Sequence, residues 1–334
     1  MEILRVTIHQ IIKEQGINYT ELVESNDLLA IGENVENLIE VLNDAFKRDE
    51  KVIRSEFLEQ QDRFQTSLRT FCGDNSDENF LNFSIESIRR INDLLTGANL
   101  ATGGYFVYAE YEYRNRNYVS VFLVRDSEEL IFDRSEDGAS FVVNKTTIIN
   151  TKKLAMAVRV DRDRILANQE RYVHFTFKQA DISDYFITWI EVHLSDKNRE
   201  DTVSLVNLLN DIDPLPNDPD TNAVYEPEKF RNKVFDYIQS VGRVVRIPEL
   251  SNSFWGNKDF LGDLIDERGI DINQEFRAVT TVLGRLKKYS LSAGKIKLSF
   301  SKSDIDQGRI FRGDGQQLVL ENPIIARKFD TLNE

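Results

Sequence analysis

GGYFVYAEYEYRNRNYVSVFLVR, residues Gly103–Arg125, is the stretch whose reading decides the fold. Phe106, Val107, Tyr108, Tyr111 and Tyr113 make one run rich in aromatic and β-branched residues, and Tyr118, Val119, Val121, Phe122, Leu123 and Val124 make a second. Side chains of these types fit the pleated surface of a strand. Arg114–Asn117 between them is a polar connector of hairpin length, so the runs read as antiparallel neighbours. The first run alternates at its end, with Glu110 and Glu112 on one side and Ala109, Tyr111 and Tyr113 on the other. The second is apolar at nearly every position, the pattern of a central strand covered on both faces. The expectation is a mainly antiparallel sheet with this hairpin in its middle and helices flanking it.

Upstream, Leu4, Val6 and Ile8 alternate with Arg5, Thr7 and His9, which predicts an opening strand, and Tyr19 to Val23 predicts a return strand after the turn Gly16–Asn18. Val35, Leu38, Ile39, Leu42 and Phe46 follow helical spacing and predict a helix over Glu33 to Arg48. Phe57 to Phe71 is a weaker helical stretch, and Ser76 opens another helix that ends before Gly97. Downstream, Leu130–Asp133, Phe141–Ile149, Leu154–Val160 and Tyr172–Phe177 predict strands, with Gly138 turning between the first two. A helix is expected from Ile182 to His193. Helices, then an antiparallel sheet, then helices make the fold class α+β rather than alternating βαβ.

Asn210 to Pro227, NDIDPLPNDPDTNAVYEP, holds four of the six prolines and five acidic residues, so it is expected to be a linker. It divides the chain into a sheet domain over 1–209 and a smaller helical domain over 228–334. Phe230 to Ile238, Leu250 to Arg268 and Val279 to Leu286 predict helices in the second. Short strands at Ile296–Phe300, Arg309–Arg312 and Leu318–Leu320 would close it as a β-ribbon.

The bulk composition narrows the function classes. A chain of 334 residues, 41% hydrophobic, has material for about two cores. No apolar run approaches the roughly 18 residues of a membrane span, and MEILRVTIHQ lacks the pattern of a secretory signal, so a site in the cell interior and no membrane partner are expected. Cys72 stands alone, which excludes a disulfide framework and a cysteine-rich zinc site. The net charge of −14 opposes any binding that neutralises phosphates with the average surface. The charge is uneven, however. Between Arg285 and Arg312 stand eight cations, Arg285, Lys287, Lys288, Lys295, Lys297, Lys302, Arg309 and Arg312, against Asp304 and Asp306. Alternation with Ile296 and Leu298 predicts that Lys295 and Lys297 project from one strand face, the arrangement that phosphate positioning needs. Surface solvation, or pairing with the acidic part of the chain, explains the same residues equally well.

Enzyme signatures are scarce. The phosphate-cradling, dinucleotide, nucleophile-elbow and H-E-x-x-H patterns are absent from the sequence. His9, His174 and His193 are far apart, and structural roles are expected for them. Glu110 with Glu112 would suit a hard cation in a nuclease, yet a solvated strand face is the favoured reading, and Asp161 in VRVDRDR reads as a cap. Tyr105, Tyr108, Tyr111 and Tyr113 would suit base stacking, but tyrosines at strand spacing are usually core. No cofactor is expected.

Several segments, in order, resemble the bacterial nucleoid-associated NdpA family. They are IHQIIK (Ile8–Lys13), FLNFS (Phe80–Ser84), GGYFVYAEYEY (Gly103–Tyr113), LAMAVRVD (Leu154–Asp161), YVHFTFKQADISDYFITWI (Tyr172–Ile190) and LSFSKSDIDQGRIFRGDGQQLVL (Leu298–Leu320). The resemblance spans nearly the whole chain and departs at Phe177–Asp181, where family members carry a more basic, glycine-containing stretch. It implies an acidic cytoplasmic protein of the nucleoid. The leading expectation is a non-enzymatic protein that binds duplex DNA weakly and without sequence preference. Lys287, Lys288, Lys295, Lys297, Lys302, Arg309 and Arg312 would be its phosphate contacts. The alternative is an adaptor whose acidic helix, with Glu33, Glu36, Glu40 and Asp44, engages a DNA-bound protein, and a metal-dependent nuclease ranks third. Homodimer formation is left open.

Overall fold

Strand β5 (Arg116–Val124) is the fourth of seven in an antiparallel sheet of order β2-β1-β4-β5-β8-β9-β3, in a computed structural model. The structure describes residues 1–49, 52–59, 62–98, 101–134, 141–149, 154–176, 183–193, 197–301, 304–305 and 307–331. The other strands are β1 (Glu2–Ile12), β2 (Glu21–Val23), β3 (Val52–Ser55), β4 (Gly104–Tyr113), β8 (Met156–Asp161) and β9 (Val173–Thr176). The expected central hairpin is therefore present, with Tyr105 opposite Val124 and Tyr113 opposite Arg116. Its connector is tighter than expected. Only Arg114 (φ 52°) and Asn115 (φ 58°) turn the chain, as a two-residue loop with both residues left-handed, while Arg116 and Asn117 already belong to β5. At the other end, a Cβ on Gly103 would lie 1.9 Å from the Ile11 carbonyl oxygen, so the approach of β4 to β1 needs glycine there.

Both faces of β5 are covered because its two sets of alternating side chains enter two different cores. Val119, Val121 and Leu123 pack with Phe106 and Tyr108 against α2 (Arg63–Gly73), α3 (Asp77–Thr96) and α5 (Ser183–Ile190). That core is aromatic, with Phe64, Phe83, Phe106 and Trp189 meeting edge to face. Tyr118, Phe122 and Val124 pack with Val107, Ala109 and Tyr111 against Ile39, Leu42 and Phe46 of α1 (Glu33–Lys47). Ser76 caps α3 as expected, its Oγ accepting from the Asn79 N–H at 3.3 Å. Strand β3 was not visible in the sequence pattern. It is four residues long and joins the sheet edge by pairing with β9, more than a hundred positions away.

Strands β6 (Asp126–Arg134) and β7 (Phe141–Ile149) form a two-stranded ribbon, while the turn expected at Gly138 lies outside the described residues. Leu130, Phe132, Phe141 and Val143 share one face of this ribbon and are 55% to 74% exposed.

The contacts divide the chain into two units, Met1–Asp196 with Arg246–Glu275, and Lys197–Val245 with Phe276–Glu334. The first unit thus has a discontinuous sequence, and the crossings fall at β10 (Val244–Arg246) and β11 (Glu275–Arg277). Its returning segment carries α8 (Ile247–Trp255) and α9 (Phe260–Arg268), and it also contains the short α4 (Arg162–Leu166). The second unit packs α6 (Asn198–Asn210), α7 (Pro227–Ser240) and α10 (Thr280–Leu283) through Leu205, Leu209, Val234, Ile238 and Leu283. Residues 210–227, expected as a linker between domains, lie inside this second unit. They are folded against it: Ile212, Asp218 and Tyr225 are buried, and the Asp218 carboxylate accepts from Lys229 of α7. The unit ends in the ribbon β12 (Lys288–Ala293) and β13 (Ile296–Ser301), the ribbon β14 (Ile310–Arg312) and β15 (Leu318–Leu320), and α11 (Pro323–Asp330).

Candidate nucleic-acid interface

Six of the seven predicted phosphate contacts lie among the described residues of the second unit. Lys287 ends the 3-10 turn Gly284–Lys287, and its ammonium lies 2.9 Å from Asp236 Oδ1 and 4.1 Å from the centre of the Phe235 ring. Arg309 is likewise engaged, with Nη2 at 2.7 Å from Asp304 Oδ1 and Nη1 donating to Gln307. Each has its charge met by a neighbour, so a phosphate would have to displace a carboxylate. Lys295, Lys297 and Arg312 are exposed, and the described residues place no carboxylate against them. Lys302 lies outside the described residues, and Lys288 is described only as the first residue of β12.

One expected detail differs. Lys295 does not sit on the strand beside Lys297. It forms, with Gly294 (φ 59°), the turn that joins β12 to β13, and Lys297 follows opposite Ser292. Glycine at a left-handed turn position explains why the hairpin closes there. Both lysines therefore belong to the tip of the hairpin. The root, where Lys287 and Lys288 sit, is one strand of six residues away, roughly 20 Å at about 3.3 Å per residue. The sequence analysis named β13 but not its partner β12, although KYSLSA alternates polar with apolar residues.

The other candidate chemistries are resolved by burial. Glu110 is not on a solvated strand face: its side chain is wholly buried, accepts from Arg5 Nη1 and lies 3.3 Å from Arg162 Nη1. Two guanidiniums on one carboxylate make a buried ion-pair network, and they occupy the oxygens that a metal ion would need. Asp161 caps α4 as expected, its Oδ1 accepting from the Arg164 N–H at 3.0 Å. Tyr108 and Tyr111 are core residues: the Tyr108 hydroxyl meets Ser87 Oγ at 3.0 Å, and the Tyr111 hydroxyl donates to Asn43 at 3.0 Å. His9 accepts from the Ser25 N–H through Nδ1 and is buried beside Tyr108; burial pushes its pKa down to about 4. His174 is buried between arginines and held well below its usual value, first by desolvation and then by Arg54 and Arg159. Among the described residues no group of three or more His, Cys, Asp or Glu side chains could hold a metal ion, and no helix is long and apolar enough to cross a membrane.

On α1, Glu33, Glu36 and Glu40 are exposed with no cation against them among the described residues, whereas Asp44 lies 3.3 Å from Lys47. The acidic face of this helix is thus free along its first two turns.

The sequence model of the family described as nucleoid-associated protein YejK matches residues 7–327. The chain belongs to this family. It is 23% identical over 312 residues to a nucleoid-associated protein of Pectobacterium carotovorum subsp. carotovorum, covering 90% of this chain and 88% of that one. It is 22% identical over 309 residues to a nucleoid-associated protein of Cronobacter sakazakii, and 22% identical over 312 residues to the nucleoid-associated protein YejK of Escherichia coli, with the same coverage. The family match includes both structural units and all seven predicted phosphate contacts.

Proposed function

We propose that this nucleoid-associated protein touches duplex DNA directly, weakly and without sequence preference, and that Lys295 and Lys297 at the tip of the β12–β13 hairpin lead the contact, with Arg312 beside them in role. The observation that carries the reading is the exposure of these cations without carboxylate partners in a chain of net charge −14. Lys287 and Arg309 belong to a wider set that would exchange Asp236 and Asp304 for phosphate oxygens. Lys288 and Lys302 complete that set by their place in the sequence. A lysine reads a phosphate as a point charge and carries no base code. The leading cations stand at a hairpin tip and are lysines, so base readout is not part of the proposal. The place of action is the bacterial nucleoid, in keeping with the family. The reading assigns no catalytic step, and the saturation of Glu110 by Arg5 and Arg162 supports that. Incubation of plasmid with Mg²⁺ or Mn²⁺ should leave it intact; strand cleavage by the pure protein would refute a purely binding role.

The experiment that tests the contact is a titration of duplex DNA at two salt concentrations, with the wild-type chain and a Lys295→Gln/Lys297→Gln variant. A specific observation favours one second reading, the unpaired acidic face of α1. In that reading Glu33, Glu36 and Glu40 hold a basic protein already on DNA. Protein that fails to bind DNA at low salt, yet retains chromosomal proteins through these glutamates, would replace the first reading with the second.

A further inference from the structure

Buried charge is out of balance in the cleft beside α1 in the first unit. Arg54 of β3 and Arg159 of β8 are 6% and 4% exposed. The Arg159 guanidinium lies between the Phe46 and Tyr118 rings, 4.9 Å and 4.7 Å from their centres. Its polar neighbours are neutral: Nη1 donates to Asn43 Oδ1 at 3.3 Å, Nη2 is 3.4 Å from His174 Nδ1, and Nε has no partner. Arg54 donates to the Ile270 carbonyl at 2.5 Å and lies 3.7 Å from Asp266 Oδ1. Asp266 also acts on Arg159, and Asp271 also acts on Arg54, so two carboxylates are shared among Arg54, Arg159 and Arg164. The next carboxylate, Asp271, is taken by Arg164, whose Nη1 approaches both of its oxygens at 2.8 and 2.7 Å.

A cleft of about 520 Å³ opens on this pair. Five cationic and four acidic side chains line it. At its rim the charges cancel locally, Lys47 with Asp44 at 3.3 Å and Arg48 with Asp259 at 3.8 Å. Lys258 and Asp263 add one charge of each sign. The surplus positive charge therefore sits at the buried end, on Arg54 and Arg159. A guanidinium kept from water without its own counter-charge is costly unless an anion joins it. The volume falls in the range of small-ligand sites, and a guanidinium fork matches the spacing of phosphate oxygens.

We propose that this cleft binds the phosphate group of a small molecule, with Arg54 and Arg159 as its donors and room for the remainder of a ligand about the size of a mononucleotide. The site uses none of the residues assigned to DNA and stands apart from that reading. The arms of the test are inorganic phosphate and AMP, titrated into the full chain by calorimetry and by thermal shift. Saturable binding of either probe is expected. Tighter binding of AMP assigns the site to a phosphate ester, and equal binding assigns it to free phosphate. Arg159→Met fills the space between Phe46 and Tyr118 without a charge and should weaken binding by at least about tenfold, the loss expected of a charged hydrogen-bond donor. Should that variant fail to fold, Asp266→Asn decides, because removing the competing carboxylate should tighten binding. Lys295→Gln/Lys297→Gln should bind both probes as the wild type does. The proposal is overturned if neither probe binds saturably, if Arg159→Met binds them unchanged, or if Asp266→Asn binds them less well.

Discussion

Removing the two lysines at the hairpin tip gives the sharpest test of how this chain meets DNA. Among the described residues, Lys295, Lys297 and Arg312 are exposed with no carboxylate against them. Three neutralised phosphates give a slope of log affinity on log salt of roughly −2.7, since each contributes about −0.9 on duplex DNA. Raising salt from about 50 to about 200 mM should then weaken wild-type binding by roughly 40-fold. Lys295→Gln/Lys297→Gln leaves one contact, for which the slope is about −0.9 and the same salt step costs roughly 3- to 4-fold. Fluorescence anisotropy with two unrelated duplexes measures both quantities, and the loss should be equal on the two sequences. If Lys287 and Arg309 also yielded their carboxylates to DNA, the wild-type slope would steepen toward roughly −4.5 while the difference between proteins stayed the same. That difference is the decisive quantity. A variant with the wild-type slope would remove the hairpin tip from the interface, and a wild-type slope near zero would refute phosphate contact altogether.

Glu110→Gln should destabilise the first unit by about 3 kcal/mol, because it leaves Arg162 without this carboxylate while Arg5 keeps Asp77 at 2.6 Å; urea denaturation showing less than about 1 kcal/mol would contradict the network. His9 has a pKa lowered from 6.5 to about 4 in the folded chain, so its protonation favours unfolding. Its contribution is intact above pH 6.5 and falls away toward pH 4, which should cost roughly 2 kcal/mol between about pH 7 and pH 5, and His9→Gln should flatten that part of a stability profile. His174 titrates with the same sign and adds to the wild-type slope without cancelling it. Burial pushes the Cys72 thiol up to about 12, so a thiol reagent should label it only after unfolding; rapid labelling of the native chain would show that α2 opens.

The middle of the sheet was legible because β4 and β5 are neighbours in sequence and their pattern is local. The two-residue turn was harder to read, since Arg114 and Asn115 adopt left-handed backbone without glycine. Strand β3 was hidden by its length and by a partner that arrives only at residue 173. The discontinuous first unit was invisible for a related reason. What ties residues 246–275 to it are single long-range contacts, such as the Arg54 N–H donating to Asn273 Oδ1 at 2.8 Å, and these leave no periodic trace. The prolines and carboxylates of 210–227 suggested a free linker, but Asp218 has a lysine in α7 to accept from, and its neighbours Ile212 and Tyr225 are buried. Among the candidate sites, the basic segment was visible as composition, whereas the positions of Lys287 and Arg309 beside carboxylates were not. Glu110 was misread because alternation predicts the face of a strand, and only packing shows that β1 and α4 bring Arg5 and Arg162 onto that face.

The division of labour between the two basic residue types explains how an acidic chain can still approach a polyanion. In the first unit, arginines are drawn into the interior: Arg5 and Arg162 meet Glu110, Arg164 meets Asp271, and Arg54 and Arg159 lie beneath the cleft. Guanidinium is weakly hydrated and bonds in a plane, so it tolerates burial that an ammonium does not. Arginines used in this way hold the fold together and are lost to DNA. Lysine is strongly hydrated on a flexible stem, and Lys295 and Lys297 stand exposed at the tip of a ribbon whose length keeps them clear of its root. On the proposed reading, a duplex would be repelled by most of the surface and attracted at this hairpin tip. Such a field orients the encounter while holding its strength down, because few phosphates can be neutralised at once. The same charges spread evenly over the surface would give a chain of net −14 no reason to choose any face, and the steep, local salt dependence worked out above is the signature that separates the two arrangements.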